Sequence, residues 1–216
     1  EVKVNPLSVV STNRCTTIGR EEENSFKIQT VEHMLAAVRA LDIDNMLIEI
    51  DGPEVPIGDG SALPFYRAFK ESGIKTLSEK RNIIVIEKPL WIREENCHMV
   101  ILPYSGFKID YILDYDHPVI GTQFFEFDID KKSFADEIAG ARTFGFKKEL
   151  DDLHKKDLAQ GGSLENAILI DDDSIINSLR FPDELVRHKI LDIIGDMFLN
   201  GFIQGHIISV KSGHSL

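Results

Sequence analysis

The sequence predicts an α+β protein made of two strand–helix units laid against one another. In each half, strand-like segments come before an apolar helix. Those helices place a histidine in the same frame, Val31-Glu32-His33-Met34-Leu35 and Val186-Arg187-His188-Lys189-Ile190. The helix of residues 181–201 is apolar nearly all round, with Leu185, Val186, Ile190, Leu191, Ile193, Ile194, Met197, Phe198 and Leu199. Such a helix is normally sandwiched inside a protein. Two units facing one another bring His33 and His188 to one interface.

Taken in order, residues 1–29 read as short strands broken by turns: VKV, VVST, CTTIG and SFKIQ. Thr30 is an expected N-cap for a helix over 31–41, which is rich in strong helix formers. After a turn at 42–45, MLIEI at 46–50 reads as a strand. The loop DGPEVPIGDGS at 51–61 is dense in Gly, Pro and Asp, too specific for a spacer. Ser61 is expected to cap a helix over 62–70. The polar segment 71–80 is the best candidate boundary, which divides the chain into domains 1–76 and 77–216. Strands resume with NIIVIEKPLWI, HMVILPYSG, FKIDYILDY and TQFFEFDI. A short helix or loop at 134–141 leads into ARTFGF, followed by an exposed charged helix at 147–156 and a buried strand at 167–170. In the 181–201 helix, Pro182 suits a first turn, Asp183 and Glu184 favour the positive end of the dipole, and Asn200-Gly201 is a stop. HIISVKSGHSL closes the chain as a strand entering a turn.

Composition narrows the function. The chain has 216 residues, 43% hydrophobic, which suffices for one large domain or two small ones. A net charge of −12 argues against a nucleic-acid partner, which needs a basic face, but not against a small anionic substrate. The two cysteines, Cys15 and Cys97, exclude a disulfide framework and a Cys-type zinc site. With no apolar run of spanning length and no signal peptide, a cytoplasmic protein without stable membrane insertion is expected. The chain opens without methionine inside strand-like sequence and stops in a turn, so it reads as a piece of something longer.

His188, Asp192 and Asp196 stand at i, i+4 and i+8, a stripe that drifts by only about 80° along the helix. Burying two carboxylates beside an imidazole is costly unless they are paired. Either a divalent metal or a hydrogen-bonded His–Asp pair that fastens two layers meets that need. Catalytic zinc takes three protein ligands and leaves one position for water, a set that His188, Asp192 and His33 supply. Glu32 beside His33 is then a candidate base for the water, or simply a first-turn carboxylate helped by the dipole. His214, on the tight turn Lys211-Ser212-Gly213-His214, is either a site residue or solvated, and Asp196 is placed to orient it.

TVEHMLAA, IDNMLIEIDGPEVPIGDGSALPF, DHP, ARTFGF, GGS, LRF-x-DE-x-VRHKILDIIGD and KSGH occur in this order over nearly the whole chain. As a set they resemble the bacterial UDP-3-O-acyl-N-acetylglucosamine deacetylases, zinc amidases of lipid A synthesis. The resemblance implies two α+β domains of like topology with sheets outside, and helices and active site between them. It implies Zn²⁺ (or Fe²⁺) on His33, His188 and Asp192, with Glu32 as general base. His214 is the implied general acid, held by Asp196, and Thr143 the donor to the oxyanion. Lys189 and Lys211 are expected near a diphosphate, Asp114 and Tyr115 at uracil, and Phe144 and Phe146 on the floor of the site. An insertion near 147–170 is expected to form an acyl-chain passage lined by Leu158, Leu164, Ala167 and Ile168. The family's first strands and its tail beyond the KSGH turn have no counterpart in the sequence. The implied activity is hydrolysis of the 2-acetamido group of a UDP-linked acylated glucosamine by a monomeric enzyme. The alternatives are a non-catalytic UDP-sugar or acyl-binding relative and an amidase on another acylated amino sugar.

Overall fold

A computed structural model of the chain describes residues 1–20, 26–154 and 161–215. Strands β1 (Val9–Ser11), β2 (Thr17–Gly19) and β3 (Lys27–Ile28) form an antiparallel three-stranded sheet. Helices α1 (Glu32–Ala40) and α2 (Leu63–Ser72) follow. Next come β4 (Ile83–Val85), β5 (Leu90–Glu94), β6 (Cys97–Leu102), β7 (Phe107–Asp114) and β8 (Thr122–Asp128). Then follow α3 (Phe134–Glu137), β9 (Phe144–Phe146), α4 (Lys147–His154), β10 (Ile168–Ile170), α5 (Glu184–Phe198) and β11 (Phe202–Val210). β11 lies at the centre of a six-stranded sheet of order β5-β6-β11-β7-β8, with β4 paired to its first residues. The parallel pair β9–β10 stands apart.

Residue alternation explains how the large sheet is covered. In β7, Phe107, Ile109, Tyr111 and Leu113 are buried, and Lys108, Asp110, Ile112 and Asp114 face the other way. Ile109 and Tyr111 join Leu185, Val186, Ile190, Leu191 and Ile194 of α5 in one apolar cluster, to which α1 adds Ala36 and Ala37. Burying each large apolar side chain contributes roughly 1.5–3 kcal/mol. The opposite face of α1 turns Val31, Met34 and Leu35 into a second cluster with Ile18 and Val55. Both helices therefore lie between the small and the large sheet, an α+β arrangement in which α5 is apolar on nearly every side because it has neighbours on nearly every side.

α1 and α5 approach closely at Gly195. A Cβ there would stand 2.0 Å from the Glu32 carbonyl oxygen and 2.7 Å from its carbon. No side chain fits, since the obstacle is backbone.

Four local expectations are corrected. Residues 46–50 are not a strand: Ile48 and Ile50 turn towards the second cluster and Leu47 is exposed, but no backbone partner pairs with them among the described residues. Residues 2–4 likewise lie outside any strand. Thr30 does not cap α1; its φ is +57° and its hydroxyl donates to Glu54 Oε1 at 2.7 Å, so the helix begins without a side-chain cap. β11 begins at Phe202, four residues before the expected strand, because Gly201 reverses the chain directly onto β4. No helix among the described residues is long and apolar enough to cross a membrane.

The contact at Gly195 yields a stability test. Gly195→Ala gains about 1 kcal/mol of helix propensity, but forcing a methyl against backbone costs about 1–3 kcal/mol. The denaturant midpoint should fall; an unchanged or raised midpoint would show that the helices do not meet this closely.

Candidate active site

The first turn of α1 and the middle of α5 deliver three polar side chains to one buried point. His33, His188 and Asp192 each offer one ligand atom, and those atoms lie within 4.8 Å of one another. His33 Nε2 is 3.6 Å and His188 Nε2 3.4 Å from Asp192 Oδ1. Asp192 Oδ1 is buried and has no hydrogen-bond partner among the described residues, so the His–Asp hydrogen bond that would merely fasten two layers is not made. An orphaned buried carboxylate oxygen is costly, and two imidazole nitrogens directed at it form the donor set a divalent ion requires.

Neighbouring groups prepare these three. His188 Nδ1 donates to the Ala141 carbonyl at 3.0 Å, which turns the Nε2 lone pair inward. Burial, helped by His33, pushes the His188 imidazole down to about 4, so it is neutral. Burial would raise the Asp192 carboxyl, but His188 and Lys189 hold it well below the usual range. Lys189 Nζ donates to Asp192 Oδ2 at 2.7 Å. One oxygen of Asp192 is thus pinned and the other left free.

Beside this group lies a second constellation. Glu32 is buried, accepts the Thr16 N–H on Oε2 at 3.0 Å, and places Oε1 4.0 Å from His214 Nε2. Burial lifts the Glu32 carboxyl to about 7 against the pull of His33 and His214. A cation on the adjacent ligands would favour its ionised form. His214 Nδ1 donates to Asp196 Oδ2 at 2.7 Å. Burial works to lower the His214 imidazole, yet the hydrogen bond to Asp196 and the nearby carboxylates raise it to about 9. Two groups whose proton affinities are both raised, one by burial and one by a carboxylate, thus face each other without bonding.

Thr143 follows Arg142, whose buried side chain is clamped by Glu184 in the first turn of α5. Glu184 is 0% exposed and accepts from Arg142 N (3.0 Å), Nε (2.9 Å) and Nη2 (3.3 Å). The clamp holds both neighbours of Arg142, the carbonyl that orients His188 and the threonine. The Thr143 N–H donates to Gly60 O at 2.9 Å, and Gly60 has φ +80° with Asn166 O only 1.7 Å from where a Cβ would be. The Gly-rich loop 51–61 is therefore a buttress for Thr143, whose hydroxyl has no hydrogen-bond partner among the described residues.

An open pocket of about 580 Å³ is lined by Asp114, Tyr115, His117 and Lys211 among others. A chain of ring contacts runs from its wall to the buried group: Tyr115 lies 6.2 Å from Phe144 and 5.4 Å from Phe146, and Phe144 lies 6.3 Å from His188. Lys211 Nζ pairs with Asp114 at 3.0 Å. Of the two lysines expected near a diphosphate, Lys211 lines the pocket, whereas Lys189 is half-buried against Asp192. In the 147–170 segment, Ile168 is fully buried in the main core rather than lining an open passage. Leu164 is exposed, Ala167 is half-buried, and Leu158 lies outside the described residues. Thr16 and the Arg142–Glu184 clamp were not expected as site residues from sequence, because their partners are distant in the chain.

All of residues 1–216 match the model of the family described as LpxC: UDP-3-O-acyl N-acetylglycosamine deacetylase. The chain is 46% identical over 214 residues to the UDP-3-O-acyl-N-acetylglucosamine deacetylase of Nitratidesulfovibrio vulgaris, covering 98% of this chain and 68% of that protein. It is 47% identical over 212 residues to the protein of that name from Geotalea uraniireducens, covering 97% and 68%. The corresponding Colwellia psychrerythraea protein is 42% identical over 221 residues, covering 100% and 72%.

The clamp behind Thr143 can be tested by stability. Glu184→Ala leaves the Arg142 guanidinium buried without its partner, which costs about 3–5 kcal/mol. Urea unfolding should register that loss, and a change below about 1 kcal/mol, the usual worth of an exposed pair, would mean Glu184 does not clamp Arg142.

Proposed function

Because the chain belongs to the LpxC family of UDP-3-O-acyl N-acetylglycosamine deacetylases, we propose that it removes the acetyl group from a UDP-linked 3-O-acyl-N-acetylglucosamine, the committed step of lipid A synthesis. The observation that carries this reading is the unpartnered Asp192 Oδ1, buried and faced by the Nε2 atoms of His33 and His188. These three residues are the proposed ligands of a divalent metal, zinc or alternatively ferrous iron. When bound, the ion supplies Lewis-acid polarisation of the amide carbonyl and a more acidic water.

The protein's own groups divide the remaining work. Ionised Glu32 takes the proton of the attacking water. Protonated His214 gives a proton to the departing amine, with Asp196 behind its Nδ1. The free hydroxyl of Thr143 donates to the oxygen on which negative charge develops, a contribution typically of about 10²–10³ in rate. Water adds to the amide carbonyl, the C–N bond breaks, and acetate and the free amine leave. Lys211 and Asp114 are assigned to the diphosphate and uracil, with the Tyr115 ring as stacking surface and Phe144 and Phe146 as floor. In this reading residues 1–76 and 77–216 are two domains that each contribute one helix to the site, and the enzyme works as a cytoplasmic monomer. Continuous acetate release from the UDP-sugar is the decisive assay, since a binding protein retains its ligand without turnover.

The ligand assignment is tested by His188→Ala, which should lose most bound metal by elemental analysis and all but trace turnover. Full occupancy with near-normal turnover would sink it.

The acid assignment predicts a pH dependence. Because His214 is raised from 6.5 to about 9, its protonated form persists through neutral pH and disappears as pH rises through 9. The rate should fall along that basic limb. His214→Ala should abolish the limb and lower kcat by about 10²-fold or more, while metal content stays normal. A variant that keeps both the limb and the rate would remove His214 from the mechanism.

A further inference from the structure

We infer that Thr16 is a positioning residue that holds the base and the acid of the reaction in register. The inference rests on the deacetylase reading and on its roles for Glu32 and His214. Thr16 is 1% exposed and lies just before β2, 16 positions from Glu32 and 180 from Asp196. Its N–H donates to Glu32 Oε2 at 3.0 Å, and its carbonyl accepts the Val31 N–H at 3.2 Å. Its hydroxyl donates to Asp196 Oδ1 at 2.5 Å. The other oxygen of Asp196 carries His214. A single residue therefore connects Glu32 to Asp196, and through Asp196 to His214.

The connection matters because of what it prevents. His214 Nε2 and Glu32 Oε1 stand 4.0 Å apart, too far to hydrogen-bond. A proton donor and a proton acceptor this close would gain by closing the gap, and the closed pair could serve neither the water nor the leaving amine. Fixing Glu32 by one oxygen and Asp196 by one oxygen keeps the gap open. Asp196 also needs a donor of its own. It sits in the last turn of α5, where the helix dipole disfavours a carboxylate, and its side chain is 21% exposed, so packing alone does not set its rotamer. Threonine suits the task because branching at Cβ stiffens χ1, so the hydroxyl is aimed before Asp196 arrives.

Thr16→Val removes the hydroxyl while keeping shape and the N–H that Glu32 uses. A misplaced catalytic group costs up to about 10²-fold, so kcat should fall by about 10–10²-fold with KM within about twofold. Thr16→Ser should recover most of the lost kcat. Proton NMR provides a readout independent of substrate: a downfield Nδ1–H resonance, assigned by its absence in His214→Gln, should be present in the wild type and in Thr16→Ser, and lost or broadened in Thr16→Val. Thr16→Ala carries the same expectation and replaces Val at this position if that variant does not fold. The inference is overturned if Thr16→Val keeps wild-type kcat, if its resonance is unchanged, or if Thr16→Ser is as impaired as Thr16→Val. A wild type that releases no acetate would instead overturn the deacetylase reading, and the NMR comparison would still decide whether Thr16 holds His214 in place.

Discussion

The backbone of α1 passes over α5 at a point where α5 has no side chain, and the meeting of His33 with His188 and Asp192 depends on that contact. With the Glu32 carbonyl resting where a Gly195 Cβ would be, the first turn of α1 is level with Asp192 and Asp196. A wider crossing would still bury the apolar faces of the two helices. It would carry His33 away from His188 and Asp192, however, because these three meet only within the length of one side chain. A glycine inside a helix costs about 1 kcal/mol in propensity relative to alanine. Here that cost is offset by packing that no other residue permits.

Within this frame Asp192, Glu32 and Asp196 are treated alike. Each is fixed through one oxygen: Asp192 by Lys189, Glu32 by the Thr16 N–H, and Asp196 by the Thr16 hydroxyl. The second oxygen is then presented, unpaired in Asp192, opposite His214 in Glu32, and bonded to His214 in Asp196. A carboxylate held at one end loses little freedom when the other end is engaged, and this is what preorganisation requires. The same division explains the direction of the proton affinities. Glu32 has few donors and is raised by burial, whereas His214 has a full partner in Asp196 and is raised by that bond.

The chain's charge of −12 is not felt uniformly. Lys189 stands over the Phe144 ring against the buried group, and Lys211 lines the open pocket with Tyr115. Exposed charges farther away than about 8–10 Å are largely screened at physiological salt, so the local lysines govern what an anionic ligand meets.

Much of this was legible in the sequence because it is written in short-range patterns. The apolar periodicity of α5, the alternation of β7, the shared frame of His33 and His188, and the stop at Asn200-Gly201 depend on neighbours within a few residues. The failures share a cause. Residues 46–50 have the composition of a strand, but strand formation depends on a hydrogen-bonded partner as well as on composition. Thr30 has the chemistry of a cap, but its backbone takes a left-handed φ of +57° and its hydroxyl donates to Glu54. Thr16, and the clamp of Arg142 by Glu184, looked like ordinary strand and helix residues because their partners are 180 and 42 positions away. The sequence by itself determined which groups were available and which helices carried them. Only the tertiary structure decided which oxygen of each carboxylate is held and which is left open, because that choice depends on donors brought together by the packing of α1 on α5.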